Sequence, residues 1–253
     1  MKMHFLSGGR LRMRKSIYFP EADRAETIEL PVSCVLLRHP KGNVLFDTGC
    51  HPEVGTDPEG RWGGMARVMT PIMPAGDNVL EGLKAVGLTA DDIDAVICSH
   101  FHTDHCGCNQ FFRKARLLVR KEELDVARGP SAAEAGYLRA DWDHPLNYQV
   151  VSEEIDLFDD GTIRLVHLPG HTPGLMGALV TLRNSGRFLL GSDAVSIRGN
   201  LDADIIPKNT WNKEICRATF QKIREIEAQG ATIICGHDAA QWETLRKGAD
   251  CYD

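Results

Sequence analysis

The run His100-Phe101-His102-Thr103-Asp104-His105 places three imidazoles and one carboxylate within six residues. Residues two apart on an extended backbone face the same side, so His100 and His102 project together. Asp104 and His105 follow at once, which suits a loop that serves a second ion beside the first. One zinc takes about four ligands. Four here, with single ligands downstream, point to two metals. A merely solvated histidine-rich loop would have no such company.

The company is easy to find. His171 lies in Val166-His167-Leu168-Pro169-Gly170-His171-Thr172-Pro173-Gly174, where a short apolar strand runs into a Pro/Gly turn. Asp193 follows Phe188-Leu189-Leu190-Gly191-Ser192, and His237 follows Ile233-Ile234-Cys235-Gly236. Asp47 follows Val44-Leu45-Phe46 and precedes Thr48-Gly49. A polar residue at the tip of a buried strand thus recurs along the chain. Such repetition lets a rigid scaffold converge scattered ligands on one site.

These motifs resemble the metallo-β-lactamase superfamily and, within it, the N-acyl-homoserine lactonase group. The residues that carry the resemblance are Asp47-Thr48-Gly49, His100 to His105, Pro169 to Gly174, Asp193 and Gly236-His237-Asp238. Pro145-Leu146-Asn147-Tyr148 also has a close counterpart in the lactonases. The likeness runs from the N-terminal hairpin to about His237. The HxHxDH run alone specifies only the superfamily; its combination with these spacings favours the lactonase branch. The implied fold is an α/β (α+β) αββα sandwich, two mixed β-sheets flanked by helices, with metals at one edge of both sheets.

The resemblance also implies roles. His100, His102 and His171 hold metal one; Asp104, His105 and His237 hold metal two; Asp193 bridges them. Two zinc ions are implied, although cobalt, manganese or iron also suit a mixed nitrogen and oxygen set. The implied chemistry is opening of a lactone ring by a hydroxide shared between the metals. Asp104 is then the proton carrier to the leaving alkoxide. Asp47 is expected to brace ligands from behind.

Length and composition agree with one domain over residues 1–253. The chain has no linker, repeat or low-complexity tract, and 43% of it is hydrophobic, enough for a sizeable core. A net charge of −6 argues against a nucleic-acid surface. Lys2, Arg10, Arg12, Arg14 and Lys15 interrupt the N-terminus, so no signal peptide is expected there. No stretch is long enough to span a membrane. Eight scattered cysteines without a CxxC pair read as reduced thiols in a cytoplasmic protein.

Periodicity predicts strands at 3–19, 28–38, 44–46, 95–98, 117–119, 163–168, 175–182, 187–192 and 232–235. It predicts helices at 79–86, 109–115, 121–128, 131–140 and 212–228, the last with Ile215, Phe220, Ile223 and Ile226 on one side. The segment 51–77 is rich in Gly and Pro yet carries Trp62, Met65, Val68, Met69, Ile72 and Met73. Two readings stand side by side. It flanks the site mouth, with Trp62 and Met65 touching substrate and its surface joining a homodimer, or it packs down as core cover.

The lactonases that the chain resembles carry a tyrosine three residues after the bridging aspartate and an aromatic between the second histidine and Asp104. Here those positions are Ser196 and Thr103. The two losses predict a roomier pocket wall and a lactone with a larger body. The same ligand set serves glyoxalase-II-like thioesterases and other carboxylic-ester hydrolases. It also serves tRNA-processing nucleases, which the acidic balance disfavours. A β-lactamase would use a cysteine where this chain has Asp193. A non-catalytic metal-binding module is disfavoured by the complete ligand set.

Overall fold

A computed structural model describes residues 1–253. The first sheet is built on a long antiparallel hairpin, β1 (Lys2–Arg14) and β2 (Thr27–His39). A turn through Gly42 leads to β3 (Gly42–Phe46), and β4 (Thr70–Pro71) pairs with the outer edge of β1. Strands β5 (Ala95–Ile97), β6 (Arg116–Arg120) and β7 (Asn147–Val151) then join in parallel, giving the order β4-β1-β2-β3-β5-β6-β7. The second sheet contains β8 (Ile155–Asp156), β9 (Ile163–His167), β10 (Met176–Leu182), β11 (Gly186–Leu190) and β12 (Ala231–Ile234), in the order β12-β11-β10-β9-β8.

Both faces of each sheet are covered, and the period-2 alternation of strands decides which side chain goes where. Val35, Leu37, Val44, Phe46 and Ile97 point to the inter-sheet layer, where they meet Leu165, Ala178, Val180 and Leu190. Their neighbours Cys34, Leu36, Leu45 and Val96 point outward beneath α1 (Val79–Ala85) and α2 (Lys121–Ala127). On the far side, α3 (Lys213–Ala228) lays Phe220 and Ile223 on Val166, Leu189 and Ile233. Burying each such side chain stabilises by about 1.5–3 kcal/mol. Asn212 caps α3 by accepting from the N–H groups of Glu214 and Ile215 at 3.0 and 3.1 Å, which explains where the helix starts.

Three expected elements differ. The first strand ends at Arg14, not at residue 19: a 3-10 turn at Lys15–Ile17 folds the chain back, and Pro20 could not have continued the ladder. The expected helix at 109–115 is a single 3-10 turn, Asn109–Phe111, because Phe112 drops into the core. Over 131–140 the chain makes turns rather than a helix, broken by Gly136 at φ 88°, and only Arg139–Trp142 is helical. No helix is long and apolar enough to cross a membrane.

Candidate active site at the strand tips

The C-terminal ends of β3, β5, β9 and β11 open onto one edge of the sandwich, and the tip of β12 joins them. His100 and His102 follow β5; Asp104 and His105 sit on the single turn Thr103–Cys106; His171, Asp193 and His237 follow β9, β11 and β12. The structure brings all seven together as overlapping groups: His100, His102 and His171; His100, His105 and Asp193; Asp104, His105 and His237. Within each group the ligating atoms lie within 4.8 Å of one another.

Four of the five imidazoles, those of His100, His102, His105 and His237, are held from behind, and the bond behind decides which nitrogen faces inward. His237 Nδ1 meets the Pro31 carbonyl at 2.9 Å, so Nε2 points in, 2.9 Å from Asp193 Oδ1. His102 is reversed: Nε2 donates to the Ala135 carbonyl at 3.0 Å. Its Nδ1 faces His100 Nε2 at 3.1 Å and His171 Nε2 at 2.9 Å. His105 Nδ1 donates to Asp47 Oδ2 at 2.9 Å, leaving Nε2 3.3 Å from His237 Nε2. Asp193 reaches both sides, with Oδ2 3.3 Å from His171 Nε2 and Oδ1 3.5 Å from His105 Nε2.

Asp47 is the hub behind the cluster. It also accepts from the Ser99 N–H and Oγ, both at 2.7 Å, and Ser192 Oγ lies 3.3 Å from it. Asp47 and Ser192 both have left-handed backbones, φ 57° and 46°, which non-glycine residues adopt at a cost. The two strained tips face each other across Ser99, whose hydroxyl contacts both side chains. Gly236 is required for space: a Cβ there would meet Asp193 Oδ1 at 2.5 Å.

The electrostatics fit a divalent cation. Burial, then the His105, His102 and His171 rings, hold His100 well below the ordinary imidazole value. Burial outweighs the pull of Asp193 and brings His171 to about 3. Both rings are therefore neutral, with lone pairs free to ligate. At His105 burial acts downward, but Asp104, Asp193 and Asp47 overcome it and push the ring up to about 10. His237 is raised in the same way by Asp193 and Asp104. Positive charge is thus wanted among these buried carboxylates, and a metal ion supplies it in place of protons. The nitrogen and oxygen donor set is that of a transition-metal site.

Above the cluster lies a cavity of about 480 Å³. Met13, Met65, Val68, Met69 and Trp211 form its apolar side, and His102, Asp104, His171 and Asp193 are at its floor. Among the expected substrate contacts, Met65 and Thr103 border this cavity, whereas Trp62 and Ser196 do not. Trp62, 2% exposed, packs with Leu30, Val32 and Val54 as core beneath the mouth. Ser196 is buried, its hydroxyl without a partner. Thr103 turns its hydroxyl away from the cavity onto buried Asp141, which Arg61 also grips through Nε and Nη2 at 3.0 and 2.5 Å. The segment 51–77 is therefore divided: Met65 borders the cavity, while Trp62, expected at the substrate, packs into the core instead.

Residues that sequence reading passed over include Tyr18, Tyr137 and Trp211 around the cavity and Glu123 beneath it. Fully buried Glu123 accepts from Phe101 N–H at 2.9 Å and Thr172 Oγ1 at 2.8 Å, tying the loop of His100 and His102 to that of His171. Its place in the charged run Lys121-Glu122-Glu123 hid it; its sharing of one face of α2 with Ala127, four residues on, was the available signal.

Comparisons with known proteins agree with this geometry. The family model for the metallo-beta-lactamase superfamily matches residues 27–237. The N-acyl homoserine lactonase AttM of Azorhizobium caulinodans is 32% identical over 260 residues, covering 100% of this chain and 99% of that protein. The N-acyl homoserine lactonase AiiB of Agrobacterium fabrum is 32% identical, covering 88% and 85% of the two chains. A solved N-acyl homoserine lactone hydrolase, with N-hexanoyl-L-homoserine bound at its catalytic metal center, superposes with a TM-score of 0.89. It is 27% identical and covers 99% of this chain and 98% of its own. Motifs, sheet order and converging ligands thus have one common explanation: the chain belongs to the metallo-beta-lactamase superfamily.

Proposed function

We propose that this protein is a metal-dependent lactonase that opens the ring of an acyl-tailed lactone of the N-acyl homoserine type, with two zinc ions per chain. The observation that carries the reading is the convergence of seven ligands beneath a cavity with one apolar wall. Its size falls within the few hundred Å³ usual for small-ligand sites. The likeness to AttM over its full length, and to AiiB over most of its length, supports the same substrate class. A cytoplasmic location fits eight unpaired cysteines, seven of them buried.

When bound, divalent metals supply a hydroxide nucleophile at neutral pH and draw charge from the carbonyl oxygen. The chain does the rest. Asp47, Ser99, Pro31 and Ala135 fix the inward nitrogens, so no reorganisation is needed during reaction. Met65, Val68 and Trp211 take the acyl tail and keep the ring over the floor. Asp104 borders the cavity with Oδ2 3.5 Å from His237 Nε2, and it carries the proton to the leaving alkoxide.

The test is a screen of purified, zinc-loaded protein against N-acyl homoserine lactones of short and long tail, other lactones, aryl esters, thioesters and phosphodiesters. Lactones turning over fastest is the expected result. Thioesters outrunning every lactone would replace this reading with a glyoxalase-II-like one.

A further inference from the structure

Tyr18 follows the 3-10 turn Lys15–Ile17 at the end of β1, far in sequence from the metal ligands. Its main chain is pinned twice. The N–H donates to the Lys15 carbonyl at 3.0 Å, and its carbonyl accepts from buried Asn200 Nδ2 at 2.9 Å. The ring is 2% exposed, packed with Leu30, Val32 and Ile197, and borders the cavity beside Asp104 and Asp193.

Its hydroxyl is poorly matched. The hydrogen-bond partner is Met13 Sδ at 3.4 Å, and a thioether is a weak acceptor. Buried phenols ordinarily find a better one. Two other buried hydroxyls around the cavity are committed: Thr103 donates to Asp141 and Thr172 to Glu123. The buried Tyr137 hydroxyl has no hydrogen-bond partner either, and its ring stands edge-on to His102. A phenol ordinarily titrates near about 10, so at neutral pH the proton is on oxygen and available to donate.

We propose that Tyr18 is the donor to the substrate's carbonyl oxygen, exchanging Met13 Sδ for that stronger acceptor as the oxygen gains charge. This rests on the lactonase reading. No proton is transferred: the O–H bond stays intact, and the hydrogen bond strengthens as the trigonal carbonyl becomes a tetrahedral oxyanion. The donor is supplied by the first hairpin rather than by the Asp193 loop, where Ser196 is buried away from the cavity.

The experiment compares wild type and Tyr18→Phe on an oxo-lactone and on its thiono analogue, in which sulfur replaces the carbonyl oxygen. Tyr18→Phe keeps the ring and its packing. On the oxo-lactone kcat should fall by about a hundred- to a thousandfold with KM little changed, the usual effect of removing one oxyanion donor. On the thiono-lactone the loss should shrink at least tenfold, because sulfur accepts weakly. Any loss of folded or metal-loaded protein lowers both rates alike and cancels in the ratio. Equal losses on both substrates, or no loss on either, overturn the proposal. A wild type inert toward every lactone would instead overturn the lactonase reading on which it rests.

Discussion

The floor of the cavity and its mouth are built on opposite plans. The floor is polar and buried, and its inward nitrogens are fixed by bonds from behind, to Asp47, Ser99, Pro31 and Ala135. The mouth is apolar, carried on short turns such as Pro58–Trp62 and Gly63–Arg67, with Val68 and Trp211 more than half exposed. Arg61 grips Asp141, which also accepts from Thr103, and so ties that segment to the ligand turn. Over-determination belongs where charge must be stabilised without delay. Loose apolar packing belongs where the shape of a substrate must be accommodated.

The sharpest way to break this contrast is at the floor. His237→Ala or His102→Ala should lower metal content at one site and depress turnover by orders of magnitude. Elemental analysis of a fully active protein with one tightly held ion would end the two-metal reading. Asp104→Asn comes next. It keeps an oxygen donor but cannot carry a proton, so alkyl lactones should slow by about a hundred- to ten-thousandfold. Aryl esters, whose phenolate leaves unaided, should slow less. Equal slowing of both, at unchanged metal content, reduces Asp104 to a ligand.

Asp47→Ala touches no substrate. By freeing His105 Nδ1 and Ser99 it should weaken metal affinity by about ten- to a hundredfold, read by competition with a chelator. An unaltered affinity would deny that bracing from behind matters.

At the mouth, Arg61→Ala should act on stability more than on turnover. It removes the cation from an Asp141 carboxylate whose pKa burial already raises against the opposing Thr103 and Arg61. Breaking such a pair costs about 3–5 kcal/mol. The sign of the pH effect follows: an acid whose folded pKa is raised binds its proton more tightly when folded. The variant should therefore lose stability as pH rises through the carboxylate range and recover part of it on acidification. A Tm deficit independent of pH would assign the effect elsewhere. The smallest expected change is Met65→Ala, which should cut kcat/KM about tenfold for long-tailed lactones and leave short ones alone. Equal effects on both would move Met65 out of the tail wall.

The contrast also governs what sequence could reveal. The candidate ligands of the floor are legible because they stand at or just beyond the ends of apolar strands, and local pattern suffices to find them. Asp47 could be flagged by the same pattern, but its bond to His105, 58 positions away, is a matter of sheet order alone. The mouth is harder. Trp62 and Met65 share one Gly-rich segment, and nothing local separates the one that packs inward from the one that lines the cavity. Thr103 reads as a missing aromatic until Asp141 is placed beside it. The failed helices at 109–115 and 131–140 have a similar cause: burial of Phe112 and the left-handed Gly136 override local propensity.

One detail of the floor bears on how such a protein can diverge. His237 and His102 take their orientation from the carbonyls of Pro31 and Ala135. A peptide carbonyl is offered by any of the twenty residues, so the chemistry of these supports survives substitution at the positions that supply them. Constraint falls instead where atoms must be missing: a Cβ on Gly136 would press on the His102 ring at 3.2 Å. The site is thus insulated from mutational drift in much of its surroundings. That leaves the mouth free to wander toward new substrates while the floor stays fixed.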